Sequence, residues 1–164
     1  PLVPWPNPPA GTHLKVPRVG PHKKPAARRL EVSLEAKRVY AFDAQGRLIA
    51  HFPCSIAEKI EKRPRGSTRI KNAADNPNYT FDPEIFTELT LEERGTRKRL
   101  IPPGPNNPVG VAWIGLGISG YGLHGTPEPE DIGITGSKGC FRLANWNAKK
   151  LIDMVRIGIP VVIE

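Results

Sequence analysis

From Leu30 to Glu35 apolar and polar residues alternate, Leu30, Val32 and Leu34 against Glu31, Ser33 and Glu35. A period of two is that of a strand with one face buried. Val39-Tyr40-Ala41-Phe42 predicts a second strand, Asp43 to Gly46 a turn, and Leu48 to Ile56 a third strand. A polar, basic stretch runs from Glu58 to Gly66, and a short strand is predicted around Thr68 to Lys71. Asp82-Pro83 predicts a helix start, because Asp accepts from free backbone N–H groups and proline suits the first helical position. Ile85, Phe86 and Leu89 would share one face of that helix, and Gly95 would end it. Pro102 to Gly110 reads as a rigid loop, Val111 to Ile118 as a buried strand, and Tyr121 to Gly125 as the segment leading out of it. A last helix is predicted from Asn145 or Asn147, burying Leu151, Ile152 and Val155 and stopping at Gly158. Pro160 to Ile163 would close the sheet as a final strand. Strands dominate, helices are short, and strand and helix do not alternate regularly, so a mainly β fold is expected and a doubly wound parallel sheet is not.

Residues 1–29 depart from this pattern. They hold eight of the nineteen prolines, six Lys or Arg and no acid, with no sustained apolar period. This composition predicts an extended, semi-rigid basic linker, leaving residues 30–164 as the domain. At 164 residues the chain can build one domain with a core but not two full-sized ones. The net charge of +8 is mainly the linker's, since the remainder carries eighteen basic against sixteen acidic residues. A basic arm can hold nucleic acid by counterion release or lie against an anionic envelope polymer. Zinc-finger spacing, an aromatic RNA-binding strand and a basic helix are all lacking, so nucleic acid is not an expected partner. No apolar run is long enough to span a bilayer. The start at Pro1, without Met or a charged-then-apolar leader, is read as that of a processed or trimmed product.

Two glycine-flanked patches carry candidate chemistry: Tyr121-Gly-Leu-His-Gly-Thr126 and Ser137-Lys-Gly-Cys-Phe-Arg-Leu143. A thiolate attacks a carbonyl where a thiol does not, so a nucleophilic cysteine needs a base or cation beside it and an open approach. Gly139 lets the chain turn tightly before Cys140, and N–H groups of such a turn can face the oxygen on which negative charge develops. Lys138 and Arg142 raise the local positive potential, which is expected to favour the thiolate. His124, sixteen positions earlier, suits a strand–loop–strand arrangement that brings imidazole to sulfur as base. A buried structural Cys and a satisfied His remain the alternative at this point. Trp113 and Tyr121 either line the cleft or pack in the core. Cys54, among Phe52, Pro53 and Ile56, reads as a buried small hydrophobe. His13, His22 and His51 show no ligand spacing with either cysteine, so no metal site is expected. The Arg94 to Arg99 cluster reads as a solvated face, with a grip on anionic peptide as the sharper alternative.

The two patches together resemble the signature of the L,D-transpeptidase, or YkuD-type, catalytic domain: His-Gly-Thr followed by Ser-x-Gly-Cys-apolar-Arg-Leu. The likeness extends to Glu31–Asp43 as an opening hairpin, to Pro53-Cys-Ser-Ile56, to Gly104-Pro-Asn-Asn-Pro-Val-Gly110 and to the ending Arg156–Ile163. It covers about Leu30 to Glu164. The resemblance implies a β-sandwich with short helices, one near the C-terminus. It implies Cys140 as nucleophile, His124 as base, and the Gly125 carbonyl holding the second imidazole nitrogen. N–H groups near Gly139 and Cys140 would form the oxyanion hole, Ser137 would orient the cysteine loop, and Arg142 would brace it or meet a substrate carboxylate. The implied reaction is acyl transfer between peptidoglycan stem peptides through a Cys140 thioester, without metal or organic cofactor, in the cell envelope of an exporting bacterium. Water as acceptor would give an L,D-carboxypeptidase, a lipoprotein lysine an anchoring enzyme, and an idle cysteine a non-catalytic cell-wall-binding module. Lys138 stands where relatives often have His, and Asn147 where they often have Asp. Pro9 to Pro17 resembles the last strand of a glycan-binding LysM module, which makes glycan strands a candidate partner of the arm.

Overall fold

The computed structural model describes residues 25–85, 90–134, 136–137 and 139–164. Most of the arm, with His13, His22 and Pro9–Pro17, lies outside the described residues, as do Phe86, Leu89 and Lys138.

Ten strands are described: β1 Arg29–Ser33, β2 Arg38–Phe42, β3 Leu48–Pro53, β4 Gly66–Asp75, β5 Tyr79–Phe81, β6 Arg99–Ile101, β7 Ala112–Leu116, β8 Gly122–His124, β9 Phe141–Arg142 and β10 Pro160–Ile163. Eight of them form one sheet in the order β3-β2-β1-β10-β4-β7-β8-β9, and β5 and β6 form a separate hairpin. The fold is mainly β, with helix α1 (Leu91–Arg94) a single turn and α2 (Asn145–Met154) near the C-terminus. The two ends of the strand order meet. Just past β3, Ser55 N–H donates to Arg142 O at 2.9 Å and Arg142 N–H returns to Ser55 O at 3.1 Å, so β9 closes onto the segment following β3.

The alternation read in β1 is the one observed, with Leu30 and Val32 fully buried. They join Val39, Ala41, Ile114, Leu123, Phe141, Val161 and Ile163 in one core, to which α2 adds Ala148, Leu151 and Met154. The last residues of the predicted linker take part in the fold: Ala27 is buried and its N–H donates to Met154 O at 2.8 Å.

Four expectations are corrected. The strand expected at Thr68–Lys71 runs ten residues, because β4 pairs with β10 through Gly66–Arg69 and with β7 from Ile70 to Asp75 across an irregularity. The last strand does not close the sheet: β10 lies inside it, parallel to β1 and antiparallel to β4. Helix α2 stops at Met154 rather than Gly158, since Val155 already has extended backbone. The helix expected from Asp82 to Gly95 is described as a 3-10 turn at Pro83–Ile85 and the one-turn α1. Its expected ends hold nonetheless: Asp82 Oδ1 accepts Glu84 N–H at 3.1 Å, and Gly95, at φ +67°, donates to Leu91 O.

Candidate active site

Strand register determines which side chains share a face. Ile114 pairs with Leu123, and Leu123 with Phe141; all three point into the core. Trp113 pairs with His124, and His124 with Arg142, so these three lie on the opposite face. Cys140, immediately before Phe141, falls beside Gly122 on that second face. It lies two residues before Arg142, the strand partner of His124.

His124 is buried, and its Nδ1 lies 2.6 Å from Gly125 O. A carbonyl cannot donate, so the neutral ring carries its proton on Nδ1 and leaves the Nε2 lone pair free to accept one. Trp113 stacks on the imidazole with 5.8 Å between ring centres and a 22° interplanar angle. Its Nε1–H donates to Asn72 Oδ1 at 3.0 Å. Room for the indole comes from missing side chains: a Cβ on Gly122 would stand 2.8 Å from its six-membered ring, and one on Gly115 2.9 Å from Nε1.

Cys140 is half-buried, and its thiol donates to Gly120 O at 3.4 Å. Ser137 Oγ donates to Cys140 O at 2.5 Å and accepts Gly139 N–H at 3.2 Å, tying the cysteine loop at two points. Arg142 Nη2 donates to Gly136 O at 3.0 Å, bracing the same loop from the next strand. The Tyr121 ring packs over Gly139, where a Cβ would come within 3.2 Å of it. Tyr121 is also packed against the core, the second of the two sequence readings.

The electrostatics differ from expectation. Burial lowers the His124 pKa to about 4, opposed by the bond to Gly125 and reinforced by the charge of Arg142. Burial pushes the Cys140 thiol up, against a hydrogen bond from the Gly122 backbone. Burial thus moves the two groups in opposite senses, and each shift favours the uncharged form of its group. Cys54 is fully buried, as expected, and its thiol is pushed up to about 12 by that burial.

Two contributors escaped the sequence reading. Tyr79 on β5 has its phenol pushed up chiefly by burial, with smaller contributions from Cys140 and Asp82. Asn107 is buried and bonds Pro77 O, Ile101 O and Pro102 O through Nδ2, fastening the base of the hairpin that carries Tyr79. Its place in the Gly104–Gly110 loop was legible; its partners, up to 30 positions away, were not. Among the described residues no three of His, Cys, Asp and Glu form a group able to hold a metal ion. No described helix is long and apolar enough to cross a membrane. A cavity of ≈ 390 Å³ between Ser55–Glu58 and Gly133, Ile134 and Gly136 includes neither Cys140 nor His124 in its lining.

The family model of the YkuD L,D-transpeptidase catalytic domain matches residues 27–163, which takes in the whole described sheet. The chain belongs to the L,D-transpeptidase catalytic domain family. It is 29% identical over 158 residues to the probable L,D-transpeptidase ErfK/SrfK of Escherichia coli K12, covering 95% of this chain and 50% of that protein. The chain thus spans about half the length of that curated relative. An L,D-transpeptidase from Mycobacterium smegmatis has the same fold, with a TM-score of 0.61 at 20% identity over 84% of this chain and 59% of that one. So does the catalytic domain of an E. faecium L,D-transpeptidase acylated by ertapenem, with a TM-score of 0.58 at 21% identity, covering 85% of this chain and 98% of that one.

Proposed function

We propose that this L,D-transpeptidase domain exchanges acyl groups between peptidoglycan stem peptides through a thioester on Cys140. The observation that carries the reading is the 2.6 Å contact of His124 Nδ1 with Gly125 O, on the strand paired with the one that follows the cysteine. It leaves Nε2 as a neutral base on the face that Cys140 shares. The Cys140 thiol gives its proton to Nε2 as sulfur adds to the carbonyl on the L-centre of diaminopimelate in a tetrapeptide donor. The developing oxyanion is met by the Cys140 N–H, since Gly139 N–H is directed to Ser137 Oγ. The tetrahedral species collapses, the imidazolium returns the proton to the departing amine, and D-Ala leaves. A stem-peptide amine then attacks the thioester, yielding the new amide and regenerating the thiol. Arg142 and Ser137 hold the cysteine loop still throughout, while Trp113 and Tyr121 wall the approach. This chemistry belongs in the cell envelope, where the basic arm would lie along anionic wall polymer or glycan.

Purified disaccharide-tetrapeptide, incubated with the protein and followed by mass spectrometry, tests this. Cross-linked dimer with release of D-Ala is expected. Tripeptide alone would make water the acceptor and the domain an L,D-carboxypeptidase, and unchanged tetrapeptide would leave only a wall-binding role.

A further inference from the structure

Helix α2 begins at Asn145, and its N-cap, Ala144, supplies no side-chain cap. The Asn145 amide reaches back to the loop before β7: Oδ1 accepts Val111 N–H at 3.1 Å and Nδ2 donates to Pro105 O at 3.1 Å. That loop meets the residue after His124, where Gly110 and Val111 lie against Gly125. A Cβ on Gly110 would stand 2.0 Å from Asn145 Oδ1 and 2.6 Å from Gly125 C. One on Gly125 would stand 2.1 Å from Asn145 Oδ1 and 3.2 Å from Gly110 Cα. Gly110 also has φ +62°, which a residue with a side chain adopts at a cost. Three backbone segments and one amide are therefore packed without space between them, and the carbonyl that holds His124 Nδ1 belongs to this point. Gly125 N–H donates to Ala112 O at 3.1 Å, so one side of the residue is held by β7 and the other by Asn145 and Gly110.

We infer that Asn145 is a positioning residue for the base: it presses the Pro105–Val111 loop onto Gly125 and thereby fixes the carbonyl that orients His124. The inference rests on the proposed role of His124. The geometry assigns Asn145 no contact with substrate; it acts through the peptide that selects the imidazole tautomer. If the amide is removed, the Gly125 carbonyl is free to tilt and the ring to populate both tautomers, one of which carries a proton on Nε2 and cannot accept another.

The test uses the full chain with Asn145→Ala and Asn145→Asp, the second keeping an acceptor for Val111 N–H while losing the donor to Pro105 O. Nitrogen-15 NMR of the His124 ring reads the tautomer directly, without substrate. The wild-type ring should be held as the Nδ1–H form, the Ala variant should be a mixture, and the Asp variant should lie between. In turnover kcat should fall, with KM little changed, by about 10- to 100-fold, the scale on which a misplacement of about 1 Å acts. The acid limb of the pH profile should move upward as the ring gains water. If Asn145→Ala does not fold, Asn145→Asp decides. Wild-type tautomer and pH profile in a folded variant that has lost only thermal stability would reduce Asn145 to a structural tie and overturn the inference. Full turnover by His124→Gln would instead sink the role of His124 as base, while the ring spectra of the Asn145 variants would still report whether the clamp exists.

Discussion

An imidazole stripped of water and held by a single carbonyl stays uncharged through most of the acid range, and this governs both stability and rate. The His124 pKa falls from 6.5 to about 4 on folding, chiefly through burial. Between those values the unfolded chain binds a proton that the folded one does not, so stability rises with pH across that window. Chemical denaturation should therefore give full stability above about pH 6.5 and a progressive loss toward pH 4, with this part of the slope absent in His124→Gln. The same property keeps the base competent well below neutrality, and turnover should persist at pH values where a solvent-exposed histidine would be protonated. The two cysteines divide by burial. Iodoacetamide should label Cys140 in the folded protein and leave Cys54, fully buried, unmodified until denaturation. Cys140→Ser should abolish turnover, whereas Cys54→Ser should retain it at a stability cost of about 1–3 kcal/mol for the buried hydroxyl. Cys140 and His124 could be picked out as candidates because a glycine-flanked cysteine and a glycine-flanked histidine are local patterns. The direction of the thiol shift could not be read there, because it depends on desolvation by strands distant in sequence.

At the scale of elements, legibility followed the apolar period. Strands β1, β2, β7 and β10 could be read because every second residue is buried or the run is continuously apolar. The full length of β4 could not, since Ile70 is its one buried residue and the rest are polar, small or half-exposed. The β5–β6 hairpin joins two half-exposed three-residue strands whose partners, Tyr79 and Ile101, lie far apart in sequence. Its attachment rests on Asn107, so Asn107→Ala leaves the carbonyls of Pro77, Ile101 and Pro102 without that donor. That variant should lose about 1–3 kcal/mol of stability and exchange amide hydrogens faster in β5 and β6, a change seen by hydrogen–deuterium exchange. On β8, Leu123 is fully buried between Ile114 and Phe141, and Leu123→Ala should cost about 2–5 kcal/mol by equilibrium denaturation.

For the whole molecule, the site exists because the strand order closes. The bonds between Ser55 and Arg142 join the segment after β3 to β9, and the bridge of Ala57 with Ser137 extends that seam to the loop holding Cys140. No local pattern announces this closure, since Ser55 and Arg142, like Ala57 and Ser137, lie far apart in sequence. The last strand is interior to the sheet, so deleting residues 160–164 should prevent folding. Deleting residues 1–24 should leave the melting temperature nearly unchanged, whereas a cut through Arg29 also removes the Ala27 bond to Met154 O and should lower it. The central claim, a thioester on Cys140 raised by His124, is tested most directly by trapping the acyl-enzyme. The protein is mixed with tetrapeptide donor without an amine acceptor, quenched in acid and mapped by peptide mass spectrometry. The account predicts the donor acyl group, minus D-Ala, on the peptide containing Cys140, and its loss in His124→Gln. An adduct on Cys54, or undiminished acylation of Cys140 in the His124 variant, would contradict it.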